Sequence, residues 1–235
     1  MSFFRRFERN RVGRDFVVGD VHGCFDRLRA AMRKANFNEA ADRLFSVGDL
    51  VDRGPSSHEA VEWLERPWFF AVRGNHEQMA IEADLGMTDQ ALHCINGGLW
   101  WYGLSEQERK ATARTFAELP YAIEVETADG MFGLVHAEVP GDDWKEFREA
   151  LQYADHGLPA NFDHIERFAL WGRDVIRGRS PFNGVANIDR VYVGHTPVKD
   201  WHIVGNVHYI DTGACFGRPL TLVCISDGQV TQEAA

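Results

Sequence analysis

Three times within the first 77 residues a short apolar run breaks off into a glycine beside polar or charged residues. Phe16-Val17-Val18 ends in Gly19-Asp20-Val21-His22-Gly23, Leu44-Phe45-Ser46-Val47 in Gly48-Asp49-Leu50-Val51-Asp52-Arg53-Gly54, and Trp68-Phe69-Phe70-Ala71-Val72 in Arg73-Gly74-Asn75-His76-Glu77. Runs this short, rich in aromatic and β-branched residues, suit strands. Between them Phe25, Leu28 and Met32, then Val61 and Leu64, carry helical spacing. The order is β-α-β-α-β, so the strands are predicted to be parallel and joined by right-handed crossovers. Pro55 suits the opening turn of the second helix and Pro67 stops it.

The rest of the chain changes character twice. Residues 75–119 read as helical and aromatic-rich, an insert at about 78–119, with Ser105-Glu106-Gln107-Glu108 as a capping box and Pro120 as the stop. Strands are predicted at 122–125 and 131–135 around an Asp129-Gly130 turn, a polar helical stretch over 142–178, and further strands at 191–193, 202–204, 207–210 and 220–223. A parallel half and an antiparallel half suggest two sheets packed face to face. Residues 1–14 hold five Arg against one Glu and read as a solvated arm. With no internal repeat and no linker, one domain over 1–235 is expected.

In open α/β sheets ligands gather beyond the carboxyl ends of the strands. Later strands here are followed by His136 and by Gly194-His195-Thr196-Pro197, so five strand ends converge. Singly, Asp20 or Asn75 reads as a helix cap and His22 as a turn residue. Together two Asp, one Asn and three His offer oxygen and imidazole ligands for two divalent cations, a set suited to Mn²⁺, Fe²⁺ or Zn²⁺. Asp20 and His22 are expected to hold one ion, Asn75, His136 and His195 the other, and Asp49 to bridge them. Twenty-five Lys+Arg against 35 Asp+Glu give a charge of −10, which speaks against nucleic acid as a partner and requires any anionic substrate to meet a local positive site. The four cysteines show no C-x-x-C spacing, no signal peptide is visible and no run of about 18 apolar residues occurs, so no membrane partner and a cytoplasmic setting are expected.

The segments GDVHG, GDLVDRG and GNHE stand in order, followed by Leu170-Trp171-Gly172-Arg173, Gly194-His195-Thr196-Pro197 and Ile210-Asp211-Thr212-Gly213-Ala214. In these the sequence resembles the phosphoprotein phosphatases among the metallophosphoesterases, in particular the bacterial and bacteriophage lambda serine/threonine type, over nearly its whole length. The resemblance implies a calcineurin-like α/β fold, two packed mixed β-sheets flanked by helices in four α/β/β/α layers. It also implies a two-metal centre, Mn²⁺ foremost, that hydrolyses phosphoserine, phosphothreonine and sometimes phosphotyrosine monoesters on a phosphorylated protein or peptide. Attack is expected from a hydroxide shared by the two ions, with no phosphoenzyme. Arg53 and Arg73 offer charged forks for the phosphate, and Arg173 joins them by resemblance. His76, by resemblance not a ligand, is assigned to protonate the leaving oxygen, with Asp52 orienting its imidazole. Glu138 and Val139 after His136 depart from the family pattern.

Other readings fare less well. His76-Glu77-Gln78-Met79-Ala80 lacks the second histidine of a zinc protease, His93-Cys94 lacks the arginine of a cysteine phosphatase loop, and no P-loop is present. A dinucleoside polyphosphate hydrolase, or another small phosphoester hydrolase, is the enzymatic alternative, against which Asp52 counts. A phosphopeptide-binding module without turnover is the alternative from another class. His58, His93, His156, His164, His202 and His208 are expected in ordinary core or surface positions. Leu99-Trp100-Trp101-Tyr102 is expected to pack the insert on the sheets, with a wall of the substrate groove as the alternative. Asp211 is left open between a support for the ligands and a turn residue.

Overall fold

The structure, a computed structural model, describes every residue except Met1, Leu158, Ala160, Ser180 and Ala235. The chain runs β1 (Phe4–Phe7), β2 (Asp15–Val18), α1 (Phe25–Lys34), β3 (Arg43–Ser46), α2 (Ala60–Leu64) and β4 (Phe69–Ala71). The insert follows as α3 (Asn75–Asp84), α4 (Gln90–Ile95), α5 (Leu99–Tyr102) and α6 (Glu106–Ala117). Then come β5 (Ala122–Thr127), β6 (Gly130–Val135), α7 (Trp144–Ala154), α8 (Phe162–Trp171), β7 (Arg190–Val193), β8 (His202–Val204), β9 (Val207–Tyr209), β10 (Leu220–Cys224) and β11 (Val230–Glu233).

Alternation along these strands sorts the apolar residues into three cores. Phe16 and Val18 of β2, Leu44 of β3, and Leu220 and Leu222 of β10 pack with Phe25, Leu28 and Met32 of α1. Their neighbours Val17, Phe45 and Val223 point the other way and meet Ile123, Val125, Phe132, Leu134 and Tyr192 of the second sheet. The outer face of that sheet, through Ala122, Val135, Val191 and Val193, takes Trp144, Phe147 and Leu151 of α7 and Ile165 and Ala169 of α8. Three cores between four layers are the α/β/β/α arrangement expected. Gly133 belongs to it, because a Cβ there would lie 2.3 Å from the Trp144 ring.

One sheet has the order β11-β10-β2-β3-β4 and the other β1-β5-β6-β7-β9-β8. β2, β3 and β4 are parallel, as predicted. The later strands do not form a separate antiparallel half. β10 joins β2 antiparallel, while β6, β7 and β9 run parallel, so both sheets are mixed. The N-terminal arm is a second departure. Phe4–Phe7 is an edge strand parallel to β5, with Phe4 buried and Phe7 packed on Phe45 and Phe70 at 5.2 and 4.5 Å between ring centroids. Two phenylalanines at alternating depth decide this, and the arginines beside them remain outside. The strand β11 was also not anticipated, since its side chains are only partly covered. Among the described residues no helix is long and apolar enough to cross a membrane.

Candidate active site

The chain segments after β2, β3, β4, β6 and β7 deliver their polar residues to one place, and the backbone there is contorted. Of eight non-glycine residues with left-handed backbone among the described residues, His22, Asp49, Asp52, Arg53 and His195 are five, at φ between 45° and 70°. Such residues are strained and persist only where their surroundings fix them. Glu77 is one fixing group. Its buried carboxylate accepts the N–H groups of Gly74 at 2.8 Å, Asp49 at 2.9 Å and Leu50 at 2.8 Å, binding the loops after β3 and β4 into one unit. Gly194 is needed for clearance, because a Cβ there would stand 1.9 Å from Asp20 Oδ1.

The six predicted ligands come together. Asn75 Oδ1 lies 2.8 Å from both His136 Nε2 and His195 Nδ1, and Asp49 Oδ1 lies 3.4 Å from His136 Nε2. On the other side Asp49 Oδ2 is 3.5 Å and Asp20 Oδ2 4.0 Å from His22 Nε2. His136 Nδ1 donates to the Val47 carbonyl at 2.8 Å and His22 Nδ1 to that of Val51 at 2.7 Å, which leaves Nε2 of each neutral ring as the acceptor, and at His22 it takes a bond from Arg53. Asn75 Oδ1 and His136 Nε2 thus face each other, an arrangement that a shared cation satisfies when the ring is neutral. Burial lowers the His136 pKa but Asp49 raises it by more, so without a cation a proton is favoured there. Burial drives the His22 pKa down to about 3 and that of His195 to about 2, the neutral forms that ligate metals.

The carboxylates fit a cation equally well. Burial first, then Asp211 and Asp49, push the Asp20 carboxyl well above its usual range. Burial likewise lifts Asp211 to about 6. Asp211 Oδ1 accepts the N–H of Gly213 at 2.9 Å, as a turn residue does, and its carboxylate lies within electrostatic reach of Asp49. Among the described residues the ligand-atom groups able to hold a metal are His22-Asp49-His76 and Asp49-His136-His195, so Asp49 is common to both, as a bridging residue must be, while the first group includes His76, expected as a non-ligand, and not Asp20. The donor set, oxygen and imidazole with no thiolate, suits a divalent ion of borderline hardness.

His76 donates from Nδ1 to Asp52 Oδ2 at 2.7 Å, and its Nε2 points toward Asp49 Oδ2, 3.8 Å away. Sequence reasoning missed the two other residues on Asp52. Trp100 Nε1 donates to Asp52 Oδ1 at 2.6 Å, and His93 Nε2, wholly buried, stands 3.5 Å from Asp52 Oδ2. Burial alone would raise the Asp52 pKa, but the contacts with His76, His93 and Trp100 hold it below its usual value. Both newcomers lie in the insert, whose Gly97, at φ 100°, presses on the backbone of Arg53 and accepts its N–H at 3.3 Å. The signal that could have found them was the Asn96-Gly97-Gly98 turn between a histidine and a tryptophan, since two glycines mark a close approach of backbones.

The three predicted phosphate arginines diverge. Arg53 contacts His22 Nε2 and lies over the Phe216 ring, at the centre. Arg173 is within electrostatic reach of Asp49, Asp211 and Arg53, and its Nε is buried without a partner. Arg73 is not brought to the site. Its guanidinium donates to Gln78 Oε1, Tyr121 Oη and the carbonyls of Ala117 and Leu119 and stacks on the Tyr121 ring. The expectation of a phosphate fork there is corrected, because the insert's last helix supplies carbonyls that claim the donors.

Ligand-bearing loops at the carboxyl ends of strands from two face-to-face sheets define a metallophosphoesterase. The chain belongs to the calcineurin-like phosphoesterase family, whose profile matches residues 16–210. It is 34% identical over 229 residues to serine/threonine-protein phosphatase 1 of Salmonella typhimurium, covering 95% of this chain and 97% of that protein. It is also 28% identical over 227 residues to the asymmetrical bis(5'-nucleosyl)-tetraphosphatase PrpE of Bacillus subtilis, covering 87% and 88% of the two. Among solved structures, a candidate diadenosine tetraphosphatase superposes with a TM-score of 0.67 at 18% identity, over 100% of this chain and 99% of that one, a likeness of fold.

Proposed function

We propose that the chain is a metal-dependent protein phosphatase that hydrolyses phosphoserine and phosphothreonine monoesters in the cytoplasm. The observation that carries this is the buried His76–Asp52 pair at 2.7 Å, set beside Arg53 and the ligand cluster. Asp20, His22 and Asp49 on one side, and Asn75, His136, His195 and Asp49 on the other, would hold two divalent ions, most suitably Mn²⁺, which when bound supply an activated water and neutralise phosphoryl oxygens.

Arg53 and Arg173 orient the phosphate by charged, forked hydrogen bonds. With Nδ1 held by Asp52, His76 presents Nε2 to the leaving alkoxide oxygen and delivers a proton there as the P–O bond breaks. Serine or threonine and inorganic phosphate leave, with no cysteine or serine of the chain acting as nucleophile. The identity to a protein named as a serine/threonine phosphatase supports this substrate class. A relative named as a dinucleoside tetraphosphatase supports the second reading, cleavage of a phosphoanhydride at the same centre.

The test is metal-stripped protein reconstituted with Mn²⁺ and assayed side by side on phosphopeptides and on diadenosine tetraphosphate. Faster metal-dependent release of phosphate from peptides is the expected result. Faster dinucleotide cleavage overturns the proposal in favour of the second reading, and binding of phosphopeptide without turnover of either substrate overturns both.

A further inference from the structure

Positive charge is concentrated beside the centre in excess of the Arg53 and Arg173 pair assigned to the phosphate. Arg167, Arg173, Arg177 and Arg179 line one cavity of about 340 Å³, together with Trp171 and Asp174. This is a local surplus of three positive charges on a chain whose net charge is −10. Among the described residues Arg179 is paired with Asp174, at 3.1 Å, while Arg167, Arg173 and Arg177 make no ion pair. Arginines left unpaired around one concavity are a poor use of charge for stability and a good one for binding an anion.

The cavity is built onto the end of β6. Glu138, two residues beyond His136, accepts the N–H of Val175 at 2.7 Å, and the N–H groups of Ala137 and Glu138 donate to the carbonyls of Ala169 and Phe168 at 2.9 and 3.2 Å. Gly172 lies so close that a Cβ there would stand 2.7 Å from the Glu138 side chain. The position where the sequence departs from the family pattern therefore fixes the arginine turn in place. Trp171, 44% exposed, stands edge-on to His195 with 5.9 Å between ring centroids, so the cavity opens beside the ligand cluster. Arg173 belongs to both.

We propose that this cavity is a second anion subsite, which takes an acidic side chain, a carboxylate or a further phosphate, a few residues along a protein substrate from the phosphoresidue being hydrolysed. The inference rests on the protein phosphatase reading and names the substrates it favours. An extended peptide covers roughly 10 Å in three residues, enough to reach from the centre into the neighbouring cavity. Phosphoproteins rich in acidic residues meet a repelling surface over most of an acidic chain, and this cavity reverses that sign locally.

The experiment uses the Mn²⁺-loaded full chain and matched phosphoserine peptides whose flanks, up to about four residues to either side, are neutral, contain Glu, or contain a second phosphoserine. Acidic flanks are expected to raise kcat/KM about fivefold to tenfold, through KM. Arg177→Gln/Arg179→Gln should abolish that preference while leaving the neutral peptide and p-nitrophenyl phosphate unchanged. Equal gains from Glu and phosphoserine support a general anion subsite, and a gain from phosphoserine alone supports a subsite for a second phosphate. No gain from either flank, or a gain that survives the double variant, overturns the proposal. So does a variant that slows only diadenosine tetraphosphate cleavage, which would assign the cavity to a polyphosphate tail. Failure of the underlying reading looks different, because the unaltered chain would then leave even the neutral peptide intact.

Discussion

The loops that form the floor of the site and the insert that forms its wall converge on Asp52, yet they are organised differently. The floor residues His22, Asp49, Asp52 and Arg53 have strained, left-handed backbones held by bonds from their own loops, from Glu77 and, at Arg53, from the Gly97 carbonyl of the insert. The wall is two short helices, α4 and α5, with Leu92, Ile95 and Leu99 exposed, and it reaches Asp52 only through His93 and Trp100. Local chain geometry fixes the groups proposed to bind and react, while packing of a separate element adjusts them. Substitutions in the floor should therefore remove function, and substitutions in the wall should reduce it.

Asp49→Asn is the largest break. The substitution keeps an oxygen to accept the His76 N–H, now made at 3.0 Å, but removes the charge common to both ligand groups. Turnover is expected to fall to background together with the metal content measured by elemental analysis, and full metal content in this variant would show that Asp49 does not bridge. His76→Asn should lower kcat by about 10²- to 10⁴-fold while metal content stays unchanged. If it strips the metal, His76 is a ligand and its assignment to the leaving oxygen is wrong.

In the wall, Trp100→Phe removes one donor to Asp52 and leaves the ring in place. A loss of roughly 10- to 100-fold in kcat is expected, with KM and metal content unaltered. A fall in metal content instead would show that the insert supports the ligand loops themselves and not only the orientation of His76.

The same contrast explains what could be read in advance. That Asp20, His22, Asp49, Asn75, His136 and His195 gather in one place was legible because each lies within four residues of an apolar run, so strand periodicity placed it at a carboxyl end. Four layers followed from the same alternation. His93 and Trp100 were not legible, since α4 and α5 are four to six residues long and their orientation depends on Gly97 and Gly98 meeting Arg53 and His93. Arg73 misled for the opposite reason. Its neighbour Asn75 is a ligand candidate, but the direction of its long side chain is decided by carbonyls 44 and 46 residues away. The edge strand β1 was hidden by arginines whose charge outweighed Phe4 and Phe7 in a count of composition.

Arg73→Met tests that correction. It should cost about 1–3 kcal/mol in denaturant unfolding, by stranding the Ala117 and Leu119 carbonyls, and should leave KM for a phosphopeptide unchanged. A raised KM at unchanged stability would return Arg73 to the phosphate.

The smallest effect lies outside both regions. His208 of β9 sits between the rings of Tyr192 and Trp201, at 4.8 and 5.4 Å, with Nδ1 buried and unpartnered. Burial, aided by Arg190, lowers its pKa from 6.5 to about 4. Between those values the unfolded chain binds a proton that the folded chain refuses, so stability is fully present above pH 6.5, declines as pH falls toward 4, and changes no further below it. The loss over that window is on the order of 2 kcal/mol for a partly exposed ring. His208→Phe keeps a ring between its neighbours and removes the proton site, so the difference in unfolding free energy between pH 7 and pH 4.5 should shrink by about that amount. Because the candidate metal ligands are untouched, activity at pH 7 should not change, and an unaltered acid limb would mean that the carboxylates of the floor, and not this histidine, set the acid sensitivity of the fold.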